Sequence, residues 1–506
     1  TAPTVTDVTP DGDTGNGGAN DNLIHIKTGG SITVAGDFFN NGVASSDVTV
    51  KLASTAWTTY GTVTIDNINQ ITLANAEGGT APGNLVITDI AGNEFTAATW
   101  TVYVDNTLPT VTKVEPGAII SGEEAVVTGT GFMNGAAKSS VKVGGNSAAS
   151  STFTYVVNTD TKITITGGTG NISDGQIVVT DPAANASTSN VKMTIDNTNP
   201  TVTEVATASI KNGSTTVITG TGFRTTVGGA FEDANTAFTG NEAGTDIAVK
   251  VGGNIPAGMT FKVNSATQIT VTAGAGEAIE KLDVTVTDRA GNTSVETGKI
   301  LTIDNTAPVL QSISVASIKS SGTATLTGTG FLVGGDLPAN AVKIAGATPT
   351  GMTYGTITST SLVITAGTGN VVDGLITLED AAGNVSTSLV YLTIDNNLPT
   401  VNAVGTAAIR SGQTSVIGGT GFLNSTPNSD QTIQIQGVKL DENVITGLTW
   451  ATNSATQLTL TAGAGEVTNA NITVRDSAGN WSTSTGQNLI IDNTAPVITA
   501  ISDRWI

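Results

Sequence analysis

The 506-residue chain contains no cysteine. Disulfides, thiol catalysis and cysteine–zinc sites are thereby excluded. It contains one histidine, His25, and a Ser-His-Asp triad would have to be built on that residue alone. Charged residues make up 12% of the chain, against about 25% in an average soluble protein. The charge present is mostly negative: 20 basic residues face 41 acidic ones, for a net charge of −21. Such a surface repels phosphate backbones, so no nucleic-acid partner is expected. Aromatics are 4% and prolines number 14. No apolar run approaches the ~18 residues of a membrane-crossing helix, so no membrane span is expected in this chain. No phosphate-cradling glycine loop opens a helix, because the glycines punctuate strand-like segments.

What is present is glycine (61 residues), abundant threonine and a 38% hydrophobic content. That is too apolar for a disordered polyanion. Thr and Val favour strands and Gly favours tight turns. Three strings recur in fixed order. Asp-Asn-(Thr/Asn)-x-Pro begins at Asp105, Asp196, Asp304, Asp395 and Asp492. Gly-Thr-Gly-Phe ends at Phe132, Phe223, Phe331 and Phe422, with Gly36-Asp37-Phe38-Phe39 as its degenerate first copy. Asp-x-Ala-Gly-Asn begins at Asp89, Asp288, Asp380 and Asp476, and Asp181-Pro182-Ala183-Ala184-Asn185 replaces it in the second copy. The chain divides into five units, 1–106, 107–197, 198–305, 306–396 and 397–493, with 494–506 left over. Repetition argues against a unique active site, and no catalytic residue is assigned: the chain is not expected to be an enzyme.

Within a unit, Ile163 and Ile165 alternate with Lys162 and Thr164, and Val191, Met193 and Ile195 with Lys192 and Thr194. Period-2 alternation puts each apolar set on one face of a half-buried strand. About seven short strands in roughly 90–110 residues predict an all-β fold of five tandem immunoglobulin-like β-sandwiches in an elongated array. The phenylalanine of Gly-Thr-Gly-Phe is expected to plug the core, with its glycines permitting a bend or bulge. The stretch Gly129-Thr130-Gly131-Phe132 through Val141-Lys142-Val143-Gly144-Gly145, and Asn264 through Thr270, resembles the IPT/TIG immunoglobulin-like modules. The Asp-x-Ala-Gly-Asn turn followed by Asp-Asn-Thr-x-Pro resembles the bacterial Ig-like repeats of giant adhesins and surface-layer proteins. That resemblance implies an exported, extracellular cell-surface protein with a structural role: a self-assembling surface layer or filament, or the stalk of a large adhesin. A carbohydrate-binding array is a more distant reading, since Trp57, Trp100, Trp450, Trp481 and Trp505 are scattered.

The recurring acids have two readings. Asp and Asn are turn formers that accept backbone N–H bonds. Carboxylates and amide carbonyls are also the hard oxygens that calcium takes, and in the related adhesins calcium stiffens unit junctions. The candidate ligands are Asp89, Asp181, Asp288, Asp380 and Asp476 in the turns, and Asp105, Asp196, Asp304, Asp395 and Asp492 at the junctions. Asp11 and Asp13 open a polar loop that starts like an EF-hand, but its register then fails at Asn16 and Asn22. Asn185, Asn292, Asn384 and Asn480 each begin an Asn-x-Ser triplet. These are either glycan acceptors or turns whose serine opens a strand. Arg224 to Ala248 reads as an added surface loop or small extra hairpin of the third unit. The chain opens at Thr1, as expected of a mature or trimmed product. Thr494-Ala495-Pro496-Val497-Ile498 matches Thr1-Ala2-Pro3-Thr4-Val5. Either the natural chain continues there, or that strand adds to a neighbouring copy, making copies of the chain its own partners.

Overall fold

The computed structural model describes residues 2–10, 23–37, 48–74, 82–134, 137–148, 151–223, 247–333, 335–424, 433–483 and 485–500. They form five pairs of facing sheets in sequence order, and the only helical turn among them is Trp57–Thr59. Each pair encloses its own apolar core. In the third unit, one sheet runs in the order Thr201–Val205, Thr215–Thr221, Gln268–Thr272, Thr260–Ser265, all antiparallel. The facing sheet runs Ser209–Ile210, Ile300–Ile303, Ala278–Thr287, Ala248–Val251. The entering chain thus serves both sheets, pairing antiparallel in the first and parallel to the last strand in the second. This is the strand order of an immunoglobulin-like sandwich, and the other four units repeat it.

The alternation seen in the sequence is the alternation of burial. Ile163 and Ile165 are fully buried in Lys162–Gly167 while Thr164 and Thr166 face outward. Each such side chain contributes about 2 kcal/mol by leaving water. Phe132, Phe223, Phe331 and Phe422 are core plugs, none more than 1% exposed. His25 lies half-buried edge-on to Tyr103, its pairing partner, at 5.8 Å between ring centroids. Its neighbours Ile24 and Ile26 take the core face.

The glycines of Gly-Thr-Gly-Phe have separate jobs. Each entering strand carries a bulge one residue after the partner of the first glycine, at Val111/Lys113, Val202/Glu204, Leu310/Ser312 and Val401/Ala403. A Cβ on Gly419 would lie 1.9 Å from the carbonyl oxygen of Thr400 and 2.4 Å from Phe422. The second glycine has positive φ, +75° at Gly421, and its Cα would carry a Cβ only 3.2 Å from Pro399. The glycine of this string therefore stacks on the proline of Asp-Asn-Asn-x-Pro before it. Gly418, one residue earlier, has nothing closer than Ala403 at 3.4 Å. Gly419→Ala should cost the fifth unit about 3 kcal/mol, and Gly418→Ala should be close to neutral; chemical denaturation followed by the fluorescence of Trp450 and Trp481 distinguishes them.

Candidate functional site

The three recurring strings meet at one place, the junction between consecutive units. The Asp-x-Ala-Gly-Asn turn of each later unit folds back onto the junction that precedes that unit. Within the turn, the asparagine backbone N–H donates to one aspartate oxygen and its Nδ2 to the other, at 2.8–3.0 Å. The fifth residue then reaches out of its own unit. Asn185 Nδ2 donates to the carbonyl oxygen of Asp105 at 2.9 Å, Asn292 to Asp196 at 2.9 Å, Asn384 to Asp304 at 2.9 Å and Asn480 to Asp395 at 2.8 Å. The junction aspartate caps its own bend: Asp196, Asp304 and Asp395 Oδ1 accept from the backbone N–H two residues on, as Asp105 does from Thr107. Its backbone N–H holds the preceding unit, donating to Ile26, Ile119, Ile210 and Ile318 carbonyls.

The next residue ties further backward. Asn197, Asn305 and Asn396 accept at Oδ1 from the backbone N–H of Ser121, Asn212 and Ser320 in the preceding unit, at 2.6–2.7 Å. A lysine of that unit reaches forward: Lys27 to the Ala184 carbonyl at 3.3 Å, Lys211 to Gly383 at 2.5 Å and Lys319 to Gly479 at 3.2 Å. Ile120 stands at the equivalent place in the second unit. The signal for these lysines is an Ile-Lys pair at a fixed place in the first, third and fourth units, Ile26-Lys27, Ile210-Lys211 and Ile318-Lys319.

Burial sets the acidity of three of these turns. Desolvation pushes Asp181, Asp288 and Asp476 up, with Asn hydrogen bonds pulling back and the charge of the facing junction aspartate adding to the rise. Asp288 reaches about 6. Asp304 is likewise raised, by burial first and then by the nearby Asp380 and Glu277. Asp89, in the one turn with no unit described before it, is lowered instead, by the side-chain and backbone hydrogen bonds of Asn93.

These contacts decide how the proposed ligands fit calcium, which takes six to eight oxygens. Asp89, Asp181, Asp288, Asp380 and Asp476 already accept N–H donors on both carboxylate oxygens. Each internal junction adds an aspartate, Asp105, Asp196, Asp304 or Asp395, with Glu277 near Asp304, and Asp492 stands at the last with Glu466 bonded to Thr494. Asp304 Oδ2 is buried without a hydrogen-bond partner, but among the described residues no three His, Asp or Glu side chains gather. As wired, this donor set does not fit the ion. Asp11, Asp13 and residues 224–246 lie outside the described residues.

The Asn-x-Ser triplets also have a structural account. The serine opens no strand in units two to five. Its hydroxyl instead accepts the backbone N–H of a strand residue, Ser187 from Val179, Ser294 from Val286, Ser386 from Leu378 and Ser482 from Val474, at 2.9–3.0 Å. The asparagine nitrogen that a glycan would use is occupied by the junction. Among the described residues the tryptophans form no platform: Trp57 is fully buried, and Trp100, Trp450 and Trp481 are half-buried, with Trp450 Nε1 bonded to the Ile435 carbonyl; Trp505 lies outside the described residues.

No family model and no curated protein matches this chain. Among solved structures it is similar to the extracellular region of plexin A4, at 12% identity over 90% of this chain and 42% of that one, with a TM-score of 0.26. It is similar to the human desmocollin-1 ectodomain at 13% identity, over 90% and 95% of the two chains, with a TM-score of 0.14. It is similar to the Bacteroides ovatus SGBP-B from a mixed-linkage glucan utilization locus, in complex with a mixed-linkage heptasaccharide, at 16% identity over 61% and 72%, with a TM-score of 0.16. The chain spans less than half the length of the plexin structures, 42% and 48%. Superpositions this loose carry no functional argument.

Two outcomes are expected at this site. Asn384→Ala leaves the Asp304 carbonyl and the Asp380 carboxylate short of donors, at a cost of about 2 kcal/mol; hydrogen exchange should accelerate at the Thr306 amide, which Asp304 caps. The folded pKa of Asp288 lies above its unfolded value, so its contribution to stability is complete below about pH 3.8 and is lost as pH rises through about 6. Carbon-detected NMR titration should find Asp288 titrating well above Asp89.

Proposed function

We propose that this chain is an extracellular structural protein whose work is mechanical: a stiff series of immunoglobulin-like units that builds a cell-surface layer or filament. The observation that carries the reading is the wiring of the junctions. The same asparagine-to-carbonyl bond occurs at four successive junctions, with no spacer between units. A chain that only needed to string binding modules together would gain nothing from fixing each bend this way, since flexible linkers serve that purpose. The cysteine-free, acidic composition suits a solvated outer surface.

The stalk of a larger adhesin is the second reading, favoured by the same rigidity, and the two separate by assembly. Small-angle scattering of the dilute protein should give a rod with a maximum dimension of roughly 150–200 Å, unchanged by chelator. Compact or broadly distributed dimensions would contradict both readings. Negative-stain microscopy at high concentration should then show sheets or filaments; isolated rods alone would select the stalk.

A further inference from the structure

Charge is spread unevenly over the sandwiches. In the fourth unit one sheet is built from Val309–Ile313, Thr323–Thr329, Ser361–Thr365 and Thr353–Ile357, and none of these strands contains a charged residue. The same sheet of the fifth unit, Thr400–Val404, Thr414–Thr420, Gln457–Thr461 and Thr449–Ser454, contains none either. In the first three units that sheet is charged, with Asp37 and Asp66, then Lys113 and Glu124, then Glu204 and Lys262 among its strand residues. The facing sheets of units four and five hold the charge instead, at Lys343, Asp373, Lys439 and Arg475. The chain as a whole carries −21, so two neutral sheet faces require a cause.

Their outward side chains stand in registered rows. Thr323, Thr365 and Thr353 make one row in the fourth unit, and Thr414, Thr461 and Thr449 make the matching row in the fifth. The next row of the fifth unit is Val416, Thr459 and Ala451. In the fourth unit Thr327 shares a 2.5 Å hydroxyl bond with Ser312. Val309 and Val416 remain 47% and 45% exposed. A threonine presents a methyl for apolar contact and a hydroxyl that both donates and accepts. A face made of threonines is therefore complementary to itself.

We infer that these neutral faces dock a second copy of the chain, like face against like. Two copies of net charge −21 repel wherever charged surfaces approach. The neutral faces are where that repulsion is least, and the cores of protein interfaces are depleted of charge. Twisted sheets pack face to face about 10 Å apart with their strands within about 30° of alignment. Four strands about 4.8 Å apart and five residues long present roughly 320 Å² per unit. A copy contacted through both faces covers roughly 600 Å² of each chain, of the order of the ~800 Å² per partner of a standard interface. The contact is isologous, so it pairs chains about a two-fold axis. It supplies a lateral contact for the layer or filament proposed above and rests on that reading.

The test is sedimentation velocity of the full chain against concentration, at low and high sodium chloride. Association should strengthen with salt, because salt screens the repulsion between copies. Val416→Glu and Thr327→Glu place a charge at exposed positions and should each weaken association by about tenfold or more. Val416→Lys should do the same alone, and an equal mixture of Val416→Glu and Val416→Lys copies should recover it. Gln436→Glu, exposed beside a strand of the other sheet, should leave association unchanged. A monomer at every concentration and salt, association that weakens with salt, no recovery on mixing, or an equal loss in Gln436→Glu would overturn the inference. A monomer that still scatters as a rod would overturn it while leaving the mechanical reading standing.

Discussion

Everything distinctive about this chain depends on one hydrogen bond: the side-chain amide of the turn asparagine to the backbone carbonyl of the junction aspartate. A backbone carbonyl at an unpaired bend needs a donor, and a single amide nitrogen supplies it while also holding the turn carboxylate. Because that nitrogen belongs to one unit and the carbonyl to the link before it, satisfying the bend and docking the units are the same event. The aspartate cap, the backward-reaching asparagine and the forward-reaching lysine then have a fixed geometry to act on. The raised pKa of Asp288 is the cost of the same burial.

The fold was legible because it rests on local patterns. Alternation in segments such as Lys162–Gly167 named the core face directly, and the spacing of the three strings divided the chain. The buried phenylalanine was legible too, since one large side chain behind two glycines has few other uses. The site was legible only as a set of motifs. Nothing in the spacing of Asp181 and Asp105 says that a turn 80 residues downstream in the sequence closes on a link between units. That contact is created by the sandwich, which returns its second-last strand to the pole where the chain enters. Spacing also does not show which N–H groups claim the oxygens of the turn acids. Asn292 and Asn384, read as glycan acceptors or turn formers, proved to be the donors.

The units are also not all alike. In the second and fourth, Asn171 and Asn370 accept from the backbone N–H of Asn197 and Asn396. In the third and fifth, Glu277 and Glu466 instead accept from the hydroxyls of Thr306 and Thr494. Units two to five therefore alternate two ways of fixing the same link. The second junction, with Ile120 in place of a lysine, lacks the forward lysine bond of the other three.

The central claim is that these bonds hold neighbouring units in one orientation. Pulsed electron resonance between spin labels at Gln268→Cys in the third unit and Ser359→Cys in the fourth, in the full chain, measures it most directly. A single narrow distance distribution that broadens in Asn384→Ala is the result this account requires. A broad distribution in the otherwise unaltered chain, or one that Asn384→Ala leaves unchanged, would contradict it.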